Sequence, residues 1–277
     1  MITINASAMR RCVIAVAVGT LAACAGQRDP TTPEERSARG DQLLRKMSDT
    51  LKAAQAFSFT VSESHERMRR NGQKEPYTLK RDVVVRRPDR LWSHTTGSDN
   101  RNVKVTYDGK TVTVVGDTQK IYATINARAT LDETLDLVTE RYDLRVAVAD
   151  FLYSSPYDSF ADSQAKGGWV RRTTVEGKAC DEVSYSLKAV DFTLSMTSAE
   201  PTVPCEARIT FKEEPGQPVT QLTFSNWNLQ AQPAESQFAA HVPQGYELIP
   251  VVERIPKAEI KADAAKAMGT TGTTPNK

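Results

Sequence analysis

The sequence predicts an α+β fold: a strongly curved antiparallel β-sheet of about eleven strands wrapped around a few helices. Three observations carry this. Apolar and polar residues alternate with period two over most of the chain between Phe57 and Phe224. The positions between the apolar ones are mostly Thr, Ser, Lys, Glu and Arg, so each strand has one dry face and one wet face. Helical spacing occurs in only two segments. Long antiparallel sheets curl. A curled sheet with one apolar face must wrap those segments, and what they leave unfilled becomes an apolar cavity.

The N-terminus comes first. Arg10 and Arg11 precede an uncharged apolar run, Cys12 to Ala23. That is a basic n-region and an h-region of signal-peptide length, shorter than the roughly 20 apolar residues a membrane span needs. Leu21-Ala22-Ala23-Cys24 looks like a bacterial lipobox, in which cleavage before Cys24 frees a residue whose thiol takes a diacylglyceryl group. Several acyl chains at about 0.8 kcal/mol per buried methylene make a firm anchor. The alternative is an ordinary signal peptide cut near Ala23 or Ala25. Ala25 rather than Asp after Cys24 favours the outer membrane over inner-membrane retention. Residues 1–23 are thus read as signal peptide and 24–36 as lipidated cysteine plus a polar, proline-bearing tether. The folded body spans 37–256, and 257–277 form a polar tail expected to be disordered.

The body opens with a helix. Leu43, Leu44, Met47, Leu51 and Ala54 fall on one face of a 3.6-residue period, with Ser37 or Asp41 placed to cap it. The period then switches at Phe57, Phe59 and Val61. Leu79, Val83 and Val85 share a face, and Val103, Val105 and Tyr107 lead into Asp108-Gly109, a hairpin turn signal. Val112 and Val114 return from it, followed by Ile121, Ala123 and Ile125. Thr130 and Glu133 form a capping-box pattern ahead of Leu131, Leu135, Val138 and Tyr142 at helical spacing. Val146–Tyr153 is a further apolar segment, and Ser155-Pro156 marks a turn. Strand alternation resumes at Val183, Tyr185 and Leu187 and continues through Phe192, Leu194, Met196, Ala207, Ile209, Phe211, Leu222 and Phe224. By parity Trp227 faces away from Phe224.

The motifs "RKMSDTLKAAQAFSFTV", "VRRPDRL", "YDGKTVTVV" with "KIYATI", "RYDLRVAVADFLYSSPYDSF", "VEGKACDEVSY" and "FSNWNL" together resemble a bacterial family of predicted periplasmic proteins of unknown function. That family is similar to the LolA/LolB lipoprotein carriers, and the match runs from about Leu43 to Pro250. The resemblance implies a half-barrel closed by helices around an apolar cavity that takes acyl chains. The relatives often carry histidines after the cysteine equivalent to Cys180, whereas Asp181 and Glu182 stand here, so no role of those histidines carries over.

Charge and motifs exclude several function classes. The chain carries 36 basic and 34 acidic residues, and the two arginines before Cys24 are its only charges there, so the mature body is neutral. A neutral body lacks the concentrated basic face that nucleic acid requires. The clusters Arg86, Arg87, Arg90 and Arg67, Arg69, Arg70 read as solvated strand ends and a turn. No metal-ligand spacing, phosphate-binding glycine loop, dinucleotide fingerprint or nucleophile elbow occurs, so no catalytic residue, cofactor or metal is assigned. His65 and His94, in polar alternations, are expected to face solvent.

With Cys12 removed and Cys24 lipidated, Cys180 and Cys205 remain as a candidate pair in an oxidising compartment. A meander places one strand between them, about 10 Å across, too far for a bond unless strand ends bend. For an apolar cavity the candidates are Phe57, Phe59, Val61, Leu135, Val138, Phe151, Leu152, Phe192, Leu194 and Phe224, with Leu131–Tyr153 as a lid. A filled core needs the same alternation. The expected partner is therefore a lipid, an acyl chain or a lipidated protein, with the membrane reached through the anchor. The competing expectation is an envelope scaffold that holds a partner protein, with an enzyme third.

Overall fold

The computed structural model describes residues 28–69, 72–142, 144, 146–161 and 165–253. Leu21, Ala22, Ala23, Cys24 and the 257–277 tail lie outside the described residues. The architecture is α+β, with one curved, unclosed sheet of twelve strands and a few helices.

Helix α1 runs Pro33–Ala53. It starts inside the stretch expected to be tether, and neither Ser37 nor Asp41 caps it. Thr32 does: its Oγ1 accepts from the Glu35 amide at 3.2 Å, and Glu35 Oε2 accepts from the Thr32 amide at 3.2 Å. Pro33 at the first helical position has no amide hydrogen to leave unsatisfied. Leu43, Leu44, Met47 and Leu51 form the buried stripe.

Two meanders make the sheet. The first holds β1 (Ala56–Met68), β2 (Lys74–Arg86), β3 (Arg90–Gly97), β4 (Asn102–Tyr107), β5 (Thr111–Gly116) and β6 (Ile121–Asn126). Then come α2 (Leu131–Tyr142), a 3-10 turn at Ala149–Phe151 and α3 (Pro156–Phe160). The second meander holds β7 (Lys166–Val175), β8 (Lys178–Ser186), β9 (Val190–Thr197), β10 (Pro204–Phe211) and β11 (Val219–Asn228). The meanders join where β1 pairs antiparallel with β11. The two-residue β12 (Glu247–Leu248) adds to β6 in parallel, the exception to the antiparallel expectation.

Helices fill the two halves of the concavity differently. Helix α1 lies on β7 and α3. Gly40 and Gly168 allow the close approach, because a Cβ on Gly168 would stand 2.4 Å from the Arg36 carbonyl oxygen. Around α1 a run of aromatic contacts closes the interior: Phe59–Trp227 (4.5 Å between centroids), Phe224–Phe151 (4.9 Å), Phe151–Phe160 (5.3 Å), Phe160–Phe192 (5.7 Å) and Phe192–Tyr185 (5.2 Å).

Trp227 faces inward with Phe224, against the parity expectation, with centroids 5.9 Å apart. The cause is a bulge: Thr60 pairs with Ser225 but Ser58 with Asn228, and Asn226 takes a left-handed conformation at φ 55°. One extra residue inverts the faces beyond it.

The basic clusters are not simply solvated. Glu235 binds both Arg86 and Arg90, the latter at 2.8 Å. Arg87 donates to the Leu152 and Tyr153 carbonyls at 3.1 and 2.7 Å, pinning the segment after α2 to the β2–β3 turn. Arg67 and Arg69 bind Glu75. Among the described residues no helix is long and apolar enough to cross a membrane.

Candidate functional site: an apolar groove with a charged end

Strand register sets the chemistry of the concave face row by row. Phe57 pairs with Val85, which pairs with Leu91, then Tyr107, Val112 and Ile125. The next inward row runs Phe59, Val83, Ser93, Val105, Val114 and Ala123. The third is Val61, Arg81, Thr95, Val103 and Gly116, and the fourth is Glu63, Leu79 and Gly97. The interior thus grades from hydrocarbon to charge along the strands.

Beneath β2–β6 the face is not filled. A groove of about 540 Å³ runs there, within the roughly 300–1,000 Å³ of small-molecule sites. Its floor includes Leu79, Leu91, Val103, Val105, Val112, Val114 and Ile125. Its roof is Leu131, Leu135 and Val138 of α2, followed by Leu144, Val146 and Ala147. The capping box expected for α2 is formed, with Glu133 N to Thr130 Oγ1 and Thr130 N to Glu133 Oε2 both at 3.2 Å. Leu144 and Val146 are 44% and 37% exposed, which puts an apolar lip at the mouth. Two cavities of similar size elsewhere are lined mainly by polar side chains: one by Ser62, Ser64, Thr78 and Lys80, the other by Asp29, Glu35, Arg39 and Asp181.

The charged end is built from β1 and β2. Glu63 is 1% exposed and accepts from Arg81 Nε at 2.6 Å and from His65 Nε2 at 2.9 Å. A carboxylate only accepts, so Nε2 carries a proton, and Nδ1 on the far side of the ring lies 3.0 Å from the Thr220 hydroxyl. His65 stacks on Tyr77 at 4.9 Å. Burial pushes the Glu63 carboxyl up, but hydrogen bonds from His65 and Arg81 outweigh it and hold the group below the ordinary carboxylate value. His65 is therefore half-buried in a network rather than solvent-facing. His94 is also half-buried, 2.8 Å from Asn102 Oδ1. Threonine, histidine and carboxylate lie in the order of a nucleophile relay. Thr220, however, is buried and does not line the groove, so its hydroxyl has no approach from that side.

The structure divides the residues expected to line a cavity. Leu135 and Val138 line the groove. Phe57, Phe59, Val61, Phe151, Leu152, Phe192, Leu194 and Phe224 are packed into the filled core instead. β1, β9, β11 and the 3-10 turn bring the aromatic side chains together, and they fill the space they were expected to surround. Glu63, Arg81 and Thr95 were not expected at the site, although parity marks them. Arg81 occupies the gap in Leu79, Val83, Val85, and Glu63 continues Phe57, Phe59, Val61.

Cys180 and Cys205 form a disulfide with Cα atoms 7.0 Å apart, spanning β9. The two-strand separation closes because Cys205 lies at a register shift between Pro204 and Glu206, near the strand end. Beside it, buried Asp181 accepts from Trp169 Nε1 at 2.8 Å.

Among solved structures, the chain is similar to an uncharacterised conserved protein of Thermus thermophilus, with TM-score 0.44, 10% identity, and coverage of 76% of this chain and 97% of that one. It is also similar to a LolA superfamily protein of Nitrosomonas europaea, with TM-score 0.38, 10% identity, and coverage of 73% and 98%. A chain of the Pseudomonas aeruginosa MucA/MucB complex gives TM-score 0.39 and 16% identity, with coverage of 73% and 61%, so this chain spans less than two thirds of that one. No curated protein matches the sequence. Residues 40–252 match the family described as predicted periplasmic protein (DUF2092), and the chain belongs to that family.

Proposed function

We propose that this chain is a lipid-anchored protein on the periplasmic face of the envelope that holds an acyl chain, of a lipid or a lipidated protein, in the groove under β2–β6. The observation that carries the reading is the unfilled apolar groove of about 540 Å³ beside a half that packs tightly. Binding is burial of apolar surface at about 25 cal/mol per Å², with no bond made or broken. The α2 segment and the apolar lip after it serve as the lid. The anchor rests on the Leu21–Cys24 pattern, and Ala25 favours the outer membrane.

Native mass spectrometry of the folded protein from a bacterial host should find a bound lipid, and solvent extraction should release it. A protein free of lipid that also fails to take up added lipid would overturn the reading. The anchor is tested separately: radiolabelled palmitate should enter the wild type and not Cys24→Ala.

The filled β7–β11 half is what the alternative, an envelope scaffold, would show throughout. Affinity capture that returns one stable protein partner and no lipid would favour that alternative.

A further inference from the structure

The third and fourth inward rows put charge and hydroxyls where a wholly hydrocarbon ligand would want none. We propose that Arg81 and Thr95 form an anion subsite at the end of the groove, so that the ligand is an acyl chain ending in a carboxylate or phosphate. This rests on the acyl-chain reading and narrows its ligand class.

Four observations converge. Arg81 is only 13% exposed, and its Nε is committed to Glu63. Its terminal nitrogens make no hydrogen bond to a described residue, so the bidentate edge of the guanidinium is unused. That edge matches a carboxylate or phosphate. Thr95, directly opposite Arg81 across β2–β3, is 2% exposed, and its Oγ1 has no hydrogen-bond partner among the described residues. An orphaned buried hydroxyl costs free energy that a ligand atom would recover. Both side chains line the groove.

The sign follows from the same bonds. Each oxygen of Glu63 already accepts a hydrogen bond, one from Arg81 and one from His65, and the side chain is 1% exposed, so its charge is met within the protein rather than offered to a cationic head. Free donors remain on Arg81. Arg101 adds a second cation at the mouth beside the Tyr77 ring, 5.8 Å from its centroid, although Asp99 pairs with it at 3.0 Å.

The test uses four ligands with one tail: dodecanoate, dodecyl phosphate, dodecanol and dodecylamine. Their affinities for the folded protein are measured by titration calorimetry below their aggregation concentrations. Dodecanoate or dodecyl phosphate should bind about tenfold more tightly than dodecanol, as one added charge-assisted hydrogen-bond pair implies, and dodecylamine more weakly than dodecanol. The stronger of the two anions identifies the head. Arg81→Lys keeps a cation beside Glu63 but loses the fork, and Thr95→Val loses the hydroxyl at constant shape. Each should lower the anion-to-alcohol ratio severalfold, with the circular-dichroism melt confirming the fold. Dodecanol binding as well as both anions would overturn the subsite while leaving the acyl-chain reading intact. Failure of all four to bind would overturn both.

Discussion

A series of n-alkanols from octanol to docosanol, all with the same hydroxyl head, probes the hydrocarbon part of the groove. Each methylene moved from water to an apolar wall is worth about 0.8 kcal/mol, which multiplies affinity about fourfold at 25 °C. The groove offers about 540 Å³. A methylene takes up much the same volume as one molecule of liquid water, about 30 Å³, so the space corresponds to about 18 of them. The gain per carbon should therefore hold through the shorter alkanols and level off before about 18 carbons, as the chain reaches the lip at Leu144 and Val146. Displacement of an environment-sensitive dye, at alkanol concentrations below aggregation, measures the series. Affinity independent of chain length would refute burial in the groove. Fourfold steps that continue through the longest alkanol would refute that volume, because only adsorption to an open surface behaves so.

Three further outcomes follow from the fold. Replacing Cys180 and Cys205 by Ala removes a cross-link between residues 25 apart, worth about 3.5 kcal/mol by loop entropy. Urea unfolding should show that loss, and a change below about 1 kcal/mol would mean that the bond does not constrain the chain. Asn226 sits at φ 55°, so Asn226→Val should cost about 1–3 kcal/mol while Asn226→Gly stays near neutral. Equal stabilities of the two variants would remove the left-handed bulge from the explanation of how Trp227 turns inward. Glu63 is held below its ordinary value of 4.5 in the folded state, so its stabilising contribution is complete above that pH and is lost as pH falls through the folded value. Urea titrations at stepped pH should show the wild type losing stability on acidification more steeply than Glu63→Gln, and parallel curves would contradict the linkage.

Local patterns transmitted much of the fold. Two-residue alternation named the buried face of nearly every strand, because a strand's parity is a backbone property that needs no partner. The Thr130–Glu133 box announced α2 for the same local reason. The equivalent box at Thr32 and Glu35 was masked by its surroundings: in "RDPTTPEER" the prolines and charges read as tether, although Pro33 is well suited to a first helical turn.

Parity failed where the backbone broke it. Nothing in "FSNWNL" shows that Asn226 takes φ 55° and turns Trp227 to the inside, because the bulge is defined against Ser58 and Thr60 on another strand. The candidate site divided along the same line. The class of fold and most of the inward faces were legible in the order of residues alone. That order also contained the parity that aims Glu63, Arg81 and Thr95 inward. Tertiary structure alone decided that Phe57, Phe192 and Phe224 meet partners across the concavity while Val103, Val105 and Val114 face open space. Alternation specifies which way a side chain points. What stands opposite depends on where α1, α2 and α3 come to rest, and that is set by long-range contacts such as Gly40 against Gly168 and Arg87 on the Leu152 and Tyr153 carbonyls.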